Sequence, residues 1–162
     1  MRIGSGFDVH QLTTDRPLIL GGVRIEHEKG LLGYSDADVL IHALMDAILG
    51  ALALGDIGEH FPSEDGRYLN ADSMVLLAEV VKMMERAGYS IGNADLTIIA
   101  ERPKMAPHIL SMRQKIAAAL KTEINCISVK ATTTEHLGFI GNAEGIAAFA
   151  SVLLEETKGG KK

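Results

Sequence analysis

Three side chains of metal-binding type stand at spacings that can serve one ion. Asp8 and His10 lie two apart in residues 2–10, whose alternation reads as a strand with Ile3, Phe7 and Val9 on one face and Asp8 and His10 on the other. Side chains two apart on a strand face lie about 6.6–6.8 Å from one another, so a carboxylate and an imidazole there can close on one ion. A third ligand must come from elsewhere, and His42 is the best donor. One carboxylate and two imidazoles leave a fourth position open, as in a catalytic zinc centre; structural zinc sites fill all four. Alone, an Asp-x-His pair is more often a strand end with a solvated histidine. The segment that carries His42 turns the reading toward metal.

That segment is nearly all apolar: Val39, Leu40, Ile41, Leu44, Ala47, Ile48, Ala51 and Leu52. Against this background Asp38, His42 and Asp46 stand at i, i+4 and i+8 and share one helix face. Acid and imidazole groups along a buried stripe are costly unless something pairs with them. His42 is therefore assigned to the metal, and Asp46 to the outer position that orients a ligand imidazole. Ser35 followed by Asp38 forms a capping-box pattern, which starts this helix and carries it to about residue 54.

The remaining elements follow from periodicity and punctuation. Residues 18–20 and 23–25 around Gly21-Gly22 predict a hairpin, and residues 26–29, with His27, a solvated loop. After Gly55, residues 56–62 form an irregular loop in which Asp56, Ile57 and Gly58 offer a carboxylate and backbone N–H groups to a hydroxyl or phosphate. A second helix spans about 71–87, capped within residues 70–73, and a strand covers 94–101. A stiff loop through Pro103 leads to a third helix over 107–120 with Pro107 at its start. Residues 127–132 form a strand ending in Thr132-Thr133-Thr134-Glu135, which can hold phosphate oxygens and a hard cation such as Mg²⁺ or serve as a solvated strand end. Beyond a Gly-rich loop, residues 146–154 suit a central strand. The order predicts an α/β fold of α+β type: a mixed four-stranded sheet plus a small hairpin, covered by three helices. One catalytic domain spans 1–157, and 158–162 form a flexible tail.

Composition narrows the function classes. Over 162 residues the net charge is −5, which argues against nucleic acid and anionic membrane as partners. A phosphate substrate must then be held by local donors and metal ions. The single Cys126 permits no intrachain disulfide, suits a reducing cytoplasm, and sits in an apolar run that suggests a buried thiol. No charged-then-apolar leader and no apolar run of 18 residues is present, so a cytoplasmic location is expected.

With these residues laid out, the chain resembles the 2-C-methyl-D-erythritol 2,4-cyclodiphosphate synthases of the non-mevalonate isoprenoid pathway. The resemblance runs through Gly6-Phe7-Asp8-Val9-His10, Gly21-Gly22-Val23, Glu28-Lys29-Gly30-Leu31, Ser35-Asp36-Ala37-Asp38 and His42-Ala43. It continues through Gly55-Asp56-Ile57-Gly58 with Phe61-Pro62, Pro103-Lys104-Met105, and Lys130-Ala131-Thr132-Thr133-Thr134-Glu135 with Leu137-Gly138-Phe139. It implies a homotrimer with active sites at subunit interfaces, and conversion of 4-diphosphocytidyl-2-C-methyl-D-erythritol 2-phosphate to the cyclic diphosphate and CMP. It implies Zn²⁺ on Asp8, His10 and His42, and a second divalent cation, Mg²⁺ or Mn²⁺, on Glu135. Ser35, Asp56, Ile57, Gly58 and Phe61 are the implied contacts to methylerythritol phosphate. Ala100, Pro103, Lys104, Met105, Ala106, Ala131, Thr132, Thr134 and Phe139 are the implied substrate contacts beyond it, mostly in the cytidine-diphosphate pocket, while Thr133 and Tyr34 are implied in catalysis. Two positions depart from the family pattern: Tyr34 stands where a His is common, and Asn142 where an Arg commonly faces an axial pocket for isoprenoid diphosphates. Two other readings of the residues stay open, a zinc-dependent phosphoesterase and a trimeric module that only binds metal and nucleotide.

Overall fold

In the computed structural model, which describes residues 1–157, seven strands and five helices pack around one core. The first strand, β1 (Arg2–Thr13), is followed by β2 (Leu18–Leu20), β3 (Val23–Ile25) and β4 (Gly30–Leu31). Helix α1 (Val39–Leu52), the single turn α2 (Ile57–His60) and α3 (Ser73–Arg86) come next. Then follow β5 (Tyr89–Ile99), α4 (Ile109–Leu120), β6 (Ile127–Thr132), the short α5 (Gly138–Gly141) and β7 (Gly145–Glu156). The tail expected at 158–162 lies outside the described residues. No helix among the described residues is long and apolar enough to cross a membrane.

The sheet has five strands, in the order β4-β1-β7-β5-β6, where four were expected. The four long strands and the β2–β3 hairpin are those anticipated, though β1 runs on to Thr13 and β5 spans Tyr89–Ile99 rather than 94–101; β4 is the addition. It pairs only Leu12 with Leu31 and Thr13 with Gly30, too short a run to leave a periodic signal. Gly30 fits there because it has no side chain: an added Cβ would lie 2.3 Å from the Pro17 carbonyl oxygen. β5 and β6 run parallel and the other pairings are antiparallel.

Helices α1, α3 and α4 cover one face of this sheet, and the alternation of β1 is inverted with respect to it. Gly4 and Gly6 turn toward α1; Ile3, Phe7 and Val9 turn outward and stay exposed, with Phe149 beside Phe7 in register. A Cβ on Gly4 would stand 1.9 Å from the Ala47 carbonyl oxygen, and one on Gly6 2.1 Å from that of Ala43. Strand and helix thus meet main chain to main chain. Cys126 is half-buried in a 3₁₀ turn ahead of β6, rather than within the apolar run of that strand.

Asp38, expected on the metal-facing stripe, does something else. It is the N-cap of α1, a place expected for Ser35, and its carboxylate accepts from Ile41 N (3.2 Å), Gly21 N (2.9 Å) and Gly22 N (2.7 Å). It thereby clamps the hairpin turn, where both glycines have positive φ, to the start of the helix. Complete burial is the main cause that pushes its carboxyl up to about 6, against the backbone bonds. The folded protein holds this proton more tightly than the unfolded chain does. The associated stability is fully present below pH about 4 and is lost as the pH rises through about 6. In Asp38→Asn that slope should vanish relative to wild type. One glycine N–H also loses its acceptor, so the midpoint should drop at every pH, by about 1–3 kcal/mol in stability. Thermal melts of both proteins from pH 4 to 7 check this; parallel curves would contradict it.

Candidate metal centre

The side-chain alternation of β1 and the glycine contact with α1 bring Asp8, His10 and His42 together. Asp8 Oδ2 lies 2.9 Å from His10 Nε2 and 2.9 Å from His42 Nδ1, and the two nitrogens are 3.1 Å apart. These edges are slightly below the ~3.3–3.4 Å that a tetrahedral ion with bonds of about 2.0–2.1 Å requires, so small side-chain movements seat one. One carboxylate and two imidazoles form a donor set suited to a divalent ion of zinc type. His10 Nδ1 donates to the Leu32 carbonyl oxygen (2.7 Å), which leaves the Nε2 lone pair for the ion. Burial alone would raise the Asp8 carboxyl, but hydrogen bonds and charge from His10 and His42 hold it well below the usual carboxylate range. Burial opposes the His10 imidazolium, yet Asp8 and the Leu32 carbonyl raise its pKa on balance.

The triad opens into a cleft of about 430 Å³. Tyr34, Ser35, Ile57, Gly58 and Phe61, all singled out from sequence, line it, together with Met45, Ser63, Glu64, Tyr68 and others that were not. Phe61 and Tyr68 meet edge to face at 5.4 Å and form an apolar wall. The Tyr34 hydroxyl donates to the Asp65 carbonyl oxygen at 3.3 Å. Asp56 caps α2 by accepting from Glu59 N (3.1 Å). Asp46, expected beside a ligand imidazole, accepts instead from Ile57 N (2.8 Å) and so anchors the loop that walls the cleft. Burial pushes its carboxyl up against that bond, with the charges of Asp56 and Asp8 adding to the rise. The groups against His42 Nε2 are Ser73 Oγ (3.0 Å) and Ser35 Oγ (3.1 Å). Arg16 donates to the carbonyls of Gly33 (2.6 Å) and Ser35 (2.5 Å) and fixes the segment that carries Tyr34.

A second group of expected residues gathers elsewhere, at the ends of β5 and β6. Ala100 N donates to the Thr132 carbonyl (3.0 Å), which joins residues 100–106, with Pro103, Lys104, Met105 and Ala106, to the turn after Ala131. Thr133 Oγ1 donates to Glu135 Oε1 and accepts from Glu135 N, each at 3.2 Å; Thr134 Oγ1 donates to the Leu137 carbonyl (2.7 Å). None of these residues lines the cleft. Val9 is opposite Ala147, Ala147 opposite Ile99, and Ile99 opposite Thr132, so three strand spacings, about 14–15 Å, separate the triad's row from Thr132. Phe139 joins neither group. It lines a second hollow with Lys29, Asn142 and Glu144, which His10 of the triad also borders.

The model of the YgbB family matches residues 1–155. The chain is 63% identical to the 2-C-methyl-D-erythritol 2,4-cyclodiphosphate synthase of Geobacter sulfurreducens over 156 residues, 96% of this chain and 99% of that one. It is 60% identical to the enzyme of the same name from Desulfitobacterium hafniense, over 95% of this chain and 98% of that one. Among solved structures, a CDP-bound 2C-methyl-D-erythritol-2,4-cyclodiphosphate synthase matches with a TM-score of 0.88 at 36% identity, over 95% of this chain and all of that one. The bifunctional IspDF of Campylobacter jejuni gives 0.92 at 46% identity; the match covers 96% of this chain and 42% of the longer one.

Proposed function

The chain belongs to the YgbB family, and on that premise we propose that it cyclises 4-diphosphocytidyl-2-C-methyl-D-erythritol 2-phosphate to 2-C-methyl-D-erythritol 2,4-cyclodiphosphate. This makes it a phosphorus–oxygen lyase of the non-mevalonate isoprenoid pathway. A 2-phosphate oxygen forms a bond to the β-phosphorus, the bond from that phosphorus to the α–β bridging oxygen breaks, and CMP leaves with that oxygen. The observation that carries the reading is the Asp8–His10–His42 triad at the mouth of a cleft lined by Ser35, Gly58 and Phe61.

Asp8, His10 and His42 would hold Zn²⁺ and Glu135 a second divalent cation, Mg²⁺ or Mn²⁺; bound there, such ions would supply the positive charge that polarises and neutralises the diphosphate. The protein's own task is to bring two phosphates of one molecule into line, since phosphoryl transfer depends on positioning and charge stabilisation. Ser35 and Tyr34 donate to phosphate oxygens, Asp56 and Gly58 take the methylerythritol hydroxyls, and Phe61 covers the carbon skeleton. Ala100, Pro103, Lys104, Met105, Ala106, Ala131 and Thr132 enclose the cytidine diphosphate, with Thr133 and Thr134 on its phosphates. No nucleophilic side chain is needed, because the attacking oxygen belongs to the substrate.

These two groups belong to one active site when each cleft is completed by the β5–β6 end of a neighbour in a homotrimer. Three features support this: the gap of about 14–15 Å within one chain, a cleft near the lower end of small-ligand volumes, and the open apolar sheet face. Single-turnover product analysis tests the reaction. Cyclic diphosphate plus CMP is expected; a ring-open phosphate would identify a phosphoesterase, and no product a binding module.

Tyr34→Phe isolates the phenol. Loss of one donor to phosphate should lower kcat/KM about ten- to hundredfold, or 1.5–3 kcal/mol. The bond to Asp65 O is long, so the melting temperature should barely move. Turnover equal to wild type would leave the hydroxyl only its contact with Asp65.

A further inference from the structure

We propose that Ser73 and Asp36 are positioning residues of the metal centre: when His42 Nδ1 ligates the ion, Ser73, held by Asp36, accepts the proton the ring carries on Nε2, which fixes the ring's orientation and leaves the Ser35 proton for substrate. The inference rests on the triad being a metal centre. A hydroxyl beside an imidazole can donate or accept, so the direction has to be worked out from the far end of the network. Asp36 Oδ1 accepts from Asp38 N (3.1 Å) and from Ser73 Oγ, while Oδ2 accepts from Ser73 N (3.0 Å). A carboxylate used this way has no proton to give. The Ser73 hydroxyl therefore donates to Asp36 and turns only lone pairs to His42 Nε2, 3.0 Å away. A proton between them can come only from Nε2, which carries one once Nδ1 ligates the ion. Ser73 is wholly buried, so no water replaces either partner.

The same logic places the Ser35 proton. Its oxygen accepts from Ala37 N (3.2 Å) and faces the same Nε2–H at 3.1 Å. With both lone pairs engaged, the Ser35 hydroxyl hydrogen is left for the cleft that Ser35 lines. On the other side of the ring, Nδ1 faces Asp8 and His10. The network thus couples the segment before α1 and the first residue of α3 to the orientation and tautomer of a ligand on α1. Outer partners of ligand imidazoles are typically worth about 10–100-fold in metal affinity.

The test uses the full-length chain with ¹⁵N-labelled histidine, in wild type and Ser73→Ala, read by NMR with zinc bound. Wild type should show a His42 Nε2–H that exchanges slowly with water, because the buried Ser73 covers it. Ser73→Ala should speed that exchange and bind zinc about 10–100-fold more weakly in competition with a chelator. A merely structural Ser73 would lower the melting temperature and leave both readouts alone, which would overturn the proposal. So would a zinc-loaded wild type with His42 ligated through Nε2, a result that needs no variant to fold. A wild type that takes up no zinc would refute the metal reading, and the proposal with it.

Discussion

His42→Ala is expected to abolish stoichiometric metal binding and to lower turnover far beyond the 10–100-fold typical of losing an outer partner. Asp8 and His10 alone cannot hold a divalent ion in a defined geometry, and the ion supplies the charge that offsets the gathering phosphates. The fold should persist, because α1 is held by its Asp38 cap and by an apolar core that His42 does not build. The composite site adds a sharper test. Thr133→Ala alone should also be nearly inactive, since the proposed function puts Thr133 on the phosphates of the cytidine diphosphate. If the two variants are unfolded and reassembled together in equal amounts, random pairing gives each interface about a one-in-four chance of combining an intact triad with an intact Thr133. Activity should return to roughly a quarter of wild type. A mixture no more active than its components would mean that each site is built within one chain.

Gly6→Ala should be the most damaging methyl group that can be added to β1 near the site. Its Cβ would meet Ala43 O at 2.1 Å and Ala47 N at 2.8 Å, both main-chain atoms of α1 that no rotamer change can move. The strand must back away from the helix, and it carries Asp8, two residues on, away from His42. Overpacking of this kind costs about 1–3 kcal/mol or more, a fall of roughly 3–10 °C in Tm for a domain of this size. Zinc affinity should fall with it, because the triad's short edges open. Gly50→Ala is the control: on the same helix an added Cβ finds only Ser5 O, at 3.9 Å, and the change should stabilise by about 0.5–1 kcal/mol. Calorimetry and chelator competition on both variants check the pair. A Gly6→Ala protein that binds zinc as wild type does would show that the main-chain contact does not set the site.

The candidate metal triad was legible because each member was an exception to its surroundings: Asp8 and His10 on an alternating strand, His42 in an apolar helix. Periodicity says which residues share a face, but not what that face meets. His42 and Asp46 do stand one turn apart on α1, yet Asp46 is used by the Ile57 amide, and Asp38, the cap ahead of the helix, by the hairpin turn. Likewise β1 alternates as expected, but its glycines rather than its large apolar residues meet the helix, because the close approach needs them there. The Ser73–Asp36 network joins residues 37 apart through side chains that individually look like helix-start punctuation. The two-residue β4 has no period to detect.

The gap between the triad and Thr132 also has a meaning in the laboratory and in the cell. If each cleft borrows its nucleotide half from a neighbour, specific activity is a property of concentration as well as of sequence. Diluted below the point at which its chains associate, the enzyme would fade without unfolding or losing its ligands. Assays begun from a dilute stock would then show a lag whose length shortens as protein is added. A freshly made chain would be folded, metal-ready and inert until it met its neighbours, so catalysis would switch on with assembly.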